Sequence, residues 1–109
     1  MAWLLRDDEV LASLVVASSR SDRRRGLLGR DGFEGALLIE RARSVHSFGM
    51  RFPIDVAFCD DDLVVVRTRR LRPGRLTLPV RAARCAIEAE QGAFARWGLA
   101  EGDVLAVRP

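Results

Sequence analysis

The sequence predicts a mainly β protein with two short helices, folded as a compact antiparallel β-sandwich of jelly-roll type or as a partly open barrel. Three observations carry that prediction. Short apolar runs rich in Val, Ile and Leu recur along the chain, and turn-forming residues interrupt them at intervals of about ten residues. Several of these runs alternate apolar and polar residues with the period of a strand. Helical spacing is confined to residues 18–30 and 92–98, so the long helices of repeated βαβ units are missing from the pattern.

Residues 2–6 and 9–17 read as a hairpin closed by the acidic turn Asp7-Asp8. In the second strand Val10, Ala12, Leu14 and Val16 share one face, and Leu11, Ser13 and Val15 the other. Residues 18–30 change character. Ser19 or Ser21 can cap a short helix, Asp22 suits its first turn, and Arg23, Arg24 and Arg25 follow. Leu27 and Leu28 would anchor it, and Gly29 or Asp31-Gly32 would stop it. Residues 35–39 form a compact apolar run bounded by charge, as a buried strand does.

Residues 45–50 and 54–59 read as the two strands of a second hairpin. Arg51-Phe52-Pro53 makes its turn, because proline cannot donate to a central ladder. Asp60-Asp61-Asp62 turns the chain into a strand over 63–70, where Val64, Val65 and Val66 are β-branched. Arg72-Pro73-Gly74 is a turn, and 76–80 is an extended segment broken by Pro79. In 85–90, Cys85, Ile87 and Ala89 face one way and Ala86, Glu88 and Glu90 the other. Ala93, Phe94 and Trp97 have helical spacing, with Gly98 as a C-cap, and 103–107 is the last strand.

A chain of 109 residues with 49% hydrophobic and 30% charged residues fits one globular domain over residues 1–109. It shows neither the apolar run of a secretory signal nor that of a membrane helix, so the cytoplasm is the expected compartment. Cys59 and Cys85 are too few for a disulfide framework, have no CxxC partner and read as small core residues. All 18 basic residues are arginine, and lysine, tyrosine and asparagine are absent, which points to a composition bias. Distribution says more than number. Residues 63–84 carry seven arginines and no acid, while 55–62 carry four acids and no base. A basic edge should therefore lie beside an acidic turn. That basic stretch contains no aromatic side chain for base stacking and reads as a solvated face.

Chemistry concentrates in residues 45–60. His46 is the single histidine, and imidazole is the side chain that titrates near neutral pH. Asp55, on the predicted facing strand, could accept from its ring N–H, fix the tautomer and raise its basicity. Glu88 could add a second carboxylate. The plainer alternative has Asp55 bonding backbone amides beside Pro53 and His46 half-buried against a carbonyl. One histidine and two scattered acids fall short of a zinc site, so no metal and no cofactor is expected. Ser47 adjoins His46, but neighbours on a strand point to opposite faces, and no GxSxG elbow or phosphate loop is present. Phe48, Met50, Phe52 and Phe58 form an apolar cluster, with Phe52 either core or exposed at the turn.

Three groups of residues resemble a known family nearly end to end, the domain-of-unknown-function-192 family of bacterial and archaeal proteins. Arg25-Gly26-Leu27-Leu28 is similar to its Arg-Gly-Leu-Met element. His46-Ser47-Phe48-Gly49-Met50 with Pro53-Ile54-Asp55-Val56-Ala57-Phe58 is similar to its signature hairpin. Glu88, Gly92, Gly98-Leu99 and Gly102-Asp103 fall where that family has a Glu, an Ala-Gly pair and a closing Gly-Leu-x-x-Gly-Asp. Typical members carry Trp where Gly49 stands, and a longer turn with Lys-Asn-Thr before the Pro-x-Asp. The resemblance implies a mostly β domain of jelly-roll or barrel type and supplies no activity.

The expected function is that of a small soluble binding or interaction domain whose functional surface is the hairpin around residues 48–55. Its binding residues would be His46, Phe48, Met50, Arg51, Phe52, Asp55 and Glu88. The rival is an enzyme with His46 as general base, Asp55 orienting it, Glu88 in support and Arg51 holding an anionic small molecule. A third reading is weak nucleic-acid contact through the arginines from Arg67 to Arg84. The expected partner is a small molecule or a protein, not nucleic acid or a membrane, and the expected state is a monomer or weak dimer.

Overall fold

A computed structural model describes residues 2–109. β1 (Ala2–Arg6) and β2 (Glu9–Ala17) form the first antiparallel hairpin. Asp7 and Asp8 close it with φ of 51° and 66°. A two-residue turn that matches the twist of its strands needs positive φ at both positions, and Asp tolerates this because its short side chain can bond locally.

β2 then pairs with β3 (Ala36–Glu40) in parallel. Parallel neighbours need a crossover, and here it holds α1 (Arg20–Arg25). Ser19 caps α1, its Oγ accepting from the Asp22 N–H at 3.1 Å. Asp22 lies in the first turn and Arg23, Arg24 and Arg25 in the last, as the helix dipole favours. None of the residues of α1 is buried. Leu27, just beyond it, provides the anchor at 1% exposure.

β4 (Ile54–Cys59) lies between β5 (Val65–Leu71) and β6 (Cys85–Glu90), antiparallel to both, and β6 lies antiparallel to β3. α2 (Ala93–Trp97) follows, and β7 (Leu105–Arg108) returns to pair with β1. The order is β5-β4-β6-β3-β2-β1-β7, one sheet of 7 strands. Its two edges curl toward each other. Val64 and Val104 bridge them, and the Val65 N–H donates to the Asp103 carbonyl at 2.9 Å. The result is a half-barrel, the partly open form of the predicted class, with one parallel pair in place of full antiparallel order. Among the described residues no helix is long and apolar enough to cross a membrane.

The two faces of the curled sheet carry separate cores. The inner one takes Leu4, Leu14, Leu38, Ala57, Val65, Ile87 and Leu105, so every strand contributes, and Ala93 and Phe94 of α2 join it. The outer one takes Leu37, Ile39, Ile54, Val56, Phe58 and Ala86, covered by Leu27, Val45, Met50, Phe52, Leu71 and Ala83. The alternation read in residues 85–90 matches this division. Cys85, Ile87 and Ala89 join the inner core and Ala86 the outer one.

The predicted hairpin of residues 45–50 with 54–59 does not form. All six residues of β4 are buried, so the strand needs a hydrogen-bonded neighbour on each side. β5 and β6 supply a registered partner for every β4 residue, which leaves no open edge. The 45–50 segment lies instead against residues 75–77. His46 and Leu76 form a bridge, the Ser47 N–H donates to the Arg75 carbonyl at 2.8 Å, and the Thr77 N–H donates to the Val45 carbonyl at 2.9 Å.

Candidate functional site

Glu88 is the polar residue least at home in this fold. It sits in β6 with Leu37 of β3 and Val56 of β4 as its register neighbours, and all of these belong to the outer face. Only 3% of it is exposed. Among the described residues it makes no ion pair, and no buried polar atom is sealed off without a partner, so its oxygens open outward. Burial in apolar surroundings pushes its carboxyl up to about 7.

The carboxyl borders a cleft of about 430 Å³ between α1 and the 41–50 segment. Gly26 makes the opening possible. It ends α1 at φ 50° and ψ −127°, and a Cβ there would lie 3.3 Å from Glu88 Oε1. Glycine alone accepts that backbone without strain and leaves the carboxylate uncovered. Leu27, Ile39, Val45 and Met50 give the cleft an apolar lining. His46 and Phe48 form one wall, their rings stacked with centroids 5.3 Å apart and 20° between planes. The Phe48 N–H donates to His46 Nδ1 at 3.3 Å, which leaves the proton of a neutral imidazole on Nε2. Arg20, Arg23, Arg24, Arg25, Arg41 and Arg43 surround the opening.

The segment carrying His46 and Phe48 is held by Ser47. That side chain is fully buried. Its Oγ donates to the Arg72 carbonyl at 2.6 Å and accepts from the Arg75 N–H at 2.9 Å. Its carbonyl accepts from the Gly74 N–H at 2.8 Å and the Met50 N–H at 3.1 Å. Thr77 Oγ1 accepts from the Val45 N–H at 2.9 Å beside it. The wall of the cleft is therefore pinned to the Arg72-Pro73-Gly74 turn.

The family model described as Uncharacterized ACR, DUF192, matches residues 3–107. The chain belongs to the DUF192 family. Two crystal structures are similar to it. One is a protein of unknown function from Novosphingobium aromaticivorans DSM 12444, 20% identical, with a TM-score of 0.81 over 96% of this chain and 82% of that one. The other, from Sinorhizobium meliloti 1021, is labelled a candidate transcription regulator; it is 19% identical, with a TM-score of 0.81 over 97% of this chain and 91% of that one. At these identities the likeness concerns the fold. No curated protein matches the chain.

In this DUF192 domain, parts of the family-like segments that lie far apart in sequence meet at the cleft: Arg25 to Leu28, His46 with Phe48 and Met50, and Glu88. Gly49, where typical members carry Trp, faces Leu28. A Cβ at that position would meet Leu28 Cδ1 at 2.9 Å. The closing motif lies elsewhere. Gly98 caps α2 at φ 63°, and Asp103 accepts from the Ala100 N–H at 2.9 Å and pairs with Arg6 at 3.0 Å. Those two contacts, the backbone bond first, hold the Asp103 carboxyl below its ordinary range.

Of the seven binding residues expected from sequence, His46, Phe48, Met50 and Glu88 line the cleft and the other three do not. Asp55 points to the inner face, because Ile54, Val56 and Phe58 take the outer one and successive residues alternate. Its Oδ2 accepts from the N–H groups of Gly92 at 3.0 Å and Phe94 at 3.2 Å, and Arg70 Nε lies 3.6 Å from Oδ1. It caps α2, which has no capping side chain of its own. His46 and Asp55 are thus on opposite sides of the sheet, and the dyad of the enzyme reading does not assemble. His46 is exposed rather than half-buried. Arg51 is also exposed and pairs with Asp31 at 2.7 Å. Phe52 is core, 8% exposed, beneath the turn rather than at a tip.

The arginines of α1 were missed as site residues. In sequence they read as helix-end charge, and only their position before Gly26-Leu27 hinted at more. The arginines from Arg67 to Arg84 are all exposed, as a solvated face would be. Cys59 and Cys85 are buried free thiols facing each other across β4 and β6. The hydrogen bond from Cys85, with burial, pushes the Cys59 thiol up. Among the described residues no three His, Cys, Asp or Glu side chains gather as metal ligands would.

Proposed function

We propose that this DUF192 domain binds a small molecule in the cleft beneath α1, with Glu88 at its floor and His46 and Phe48 at its wall. One observation carries the reading. Glu88 is 97% removed from solvent, given its 3% exposure, yet has no partner for its carboxyl and opens into a cavity. Burying a carboxylate without hydrogen bonds costs free energy. A site that keeps such a group pointed at a cavity is built for a partner from outside. The rest of the cleft suits that use, with an apolar lining, a few convergent polar groups and walls carried on a strand and a pinned segment.

A thermal-shift screen of sugars, nucleotides, acidic metabolites and metal ions tests the reading, run in parallel on the wild type and on Glu88→Leu. A ligand of the native state raises the melting temperature by linkage. The expected result is a compound that stabilises the wild type and not the variant. A compound that stabilises both equally binds elsewhere and removes the cleft from consideration.

A further inference from the structure

The groups around Glu88 point to a class of ligand, an inference that rests on the cleft reading above. We propose that the cleft takes phosphate monoesters of small hydroxyl-bearing molecules, with the phosphate held by the arginines of α1 and the hydroxyls by Glu88. Six guanidinium groups border the cleft. Among the described residues the ion pairs are Arg6 with Asp103, Arg51 with Asp31 and Arg70 with Asp55, so none of the six is paired. Only Glu40 and Glu88 oppose them around the opening. Nor does packing explain their placement, since α1 buries none of its residues and Arg41 and Arg43 are exposed. Arg20 stands three and four residues from Arg23 and Arg24, spacings at which like charges on a helix repel. A dianion would relieve that repulsion.

Guanidinium suits phosphate, because its planar fork donates two parallel hydrogen bonds to two of its oxygens, and a phosphate has further oxygens free for a second guanidinium where a carboxylate has none. The floor of the cleft asks for something else. An ionised carboxyl disfavours a second anionic group there, and the surrounding arginines disfavour a cationic one. A hydroxyl fits either protonation state of Glu88, donating to the carboxylate or accepting from the acid. The stacked His46 and Phe48 rings offer an apolar face to the carbon skeleton between the two ends. The cavity of about 430 Å³ is of the size small-molecule sites have.

Calorimetric titration of the full chain tests this. The probes are glucose 6-phosphate, ribose 5-phosphate and glycerol 3-phosphate, each against its dephosphorylated polyol, with inorganic phosphate and citrate as further controls. At least one ester should bind about tenfold or more tightly than its own polyol and than inorganic phosphate. Arg23→Gln with Arg24→Gln should lose about tenfold for the ester, with the melting temperature little changed because the replaced side chains are not buried. Glu88→Leu should also lose the ester while keeping weak, salt-sensitive phosphate binding. If free polyols or citrate bind as well as the esters, and Glu88→Leu abolishes this, the cleft stands and the phosphate class is overturned. If an ester binds equally to wild type and Glu88→Leu, the cleft reading itself fails and the arginines only collect anions. If no probe binds, the ligand class is overturned, and the broader screen still decides the cleft.

Discussion

Glu88 shows what a single residue owes to its surroundings. Its carboxyl titrates at about 7 in the folded chain against an ordinary 4.5. Between those values the folded state holds a proton that the unfolded state has lost, so stability falls as pH rises through that window. Below it both states are protonated and nothing is lost; above it the full penalty, roughly 3 kcal/mol, applies. Glu88→Gln should therefore be more stable than the wild type at about pH 8 and equal to it at about pH 4, as urea melts across that range would show. Parallel stability curves would mean that the carboxyl titrates normally. Two neighbouring residues separate as cleanly. Phe52→Ala should cost about 3–5 kcal/mol, because it empties a filled position in the outer core. Arg51→Ala should cost under about 0.5 kcal/mol, because its pair with Asp31 is solvated on both sides. Chemical denaturation of the two variants settles the order.

At the scale of elements, hydrogen bonds from outside an element decide whether it is held. α2 has only Ala93–Trp97 and begins at a glycine with no side-chain cap. Asp55 supplies the cap from another strand. Asp55→Ala leaves the Gly92 and Phe94 N–H groups without their acceptor, at a cost of roughly 2–3 kcal/mol. Amide exchange at Phe94 should then quicken relative to that in β4, and an unchanged rate would remove the capping role. The plainer sequence reading of Asp55, a carboxylate bonding backbone amides, had the right kind of contact. The amides belong to residues 92 and 94 and not to the neighbourhood of Pro53. Elements whose signals are local were legible: the Asp7-Asp8 turn, the Ser19 cap, the alternation of Cys85–Glu90 and the Gly98 stop. The second hairpin was not. Pro53 and the apolar run suggest a strand over residues 45–50, but Phe48-Gly49 turns, with Gly49 at φ 77°, and which segment the rest pairs with depends on which edges are open, and β4 had none.

On the scale of the whole molecule, the curl of one sheet makes two cores, and strands paired on both sides should be the last to open. Amides of β3, β4 and β6 should exchange only with global unfolding, while those of β7, which has β1 as its one full partner, should exchange earlier. Native-state hydrogen exchange gives the ranking directly, and uniform protection across the sheet would contradict it. The curl also sets where chemistry gathers. Gly26, His46 and Glu88 come from a crossover, a segment bridged to residues 75–77 and a central strand, and they share a cleft because each lies on the outer face. By itself the sequence determined the types of the elements other than the 45–50 segment, the faces of β6, the β-rich class and the family-like segments, since turns, caps and alternation are written within a few residues of one another. Only the tertiary structure decided that Asp55 faces away from His46, that Arg51 and Phe52 lie outside the cleft and that unpaired arginines surround Glu88. Each of those depends on strand order and sheet face, which follow from burying both sides of β4 and not from any local run of residues.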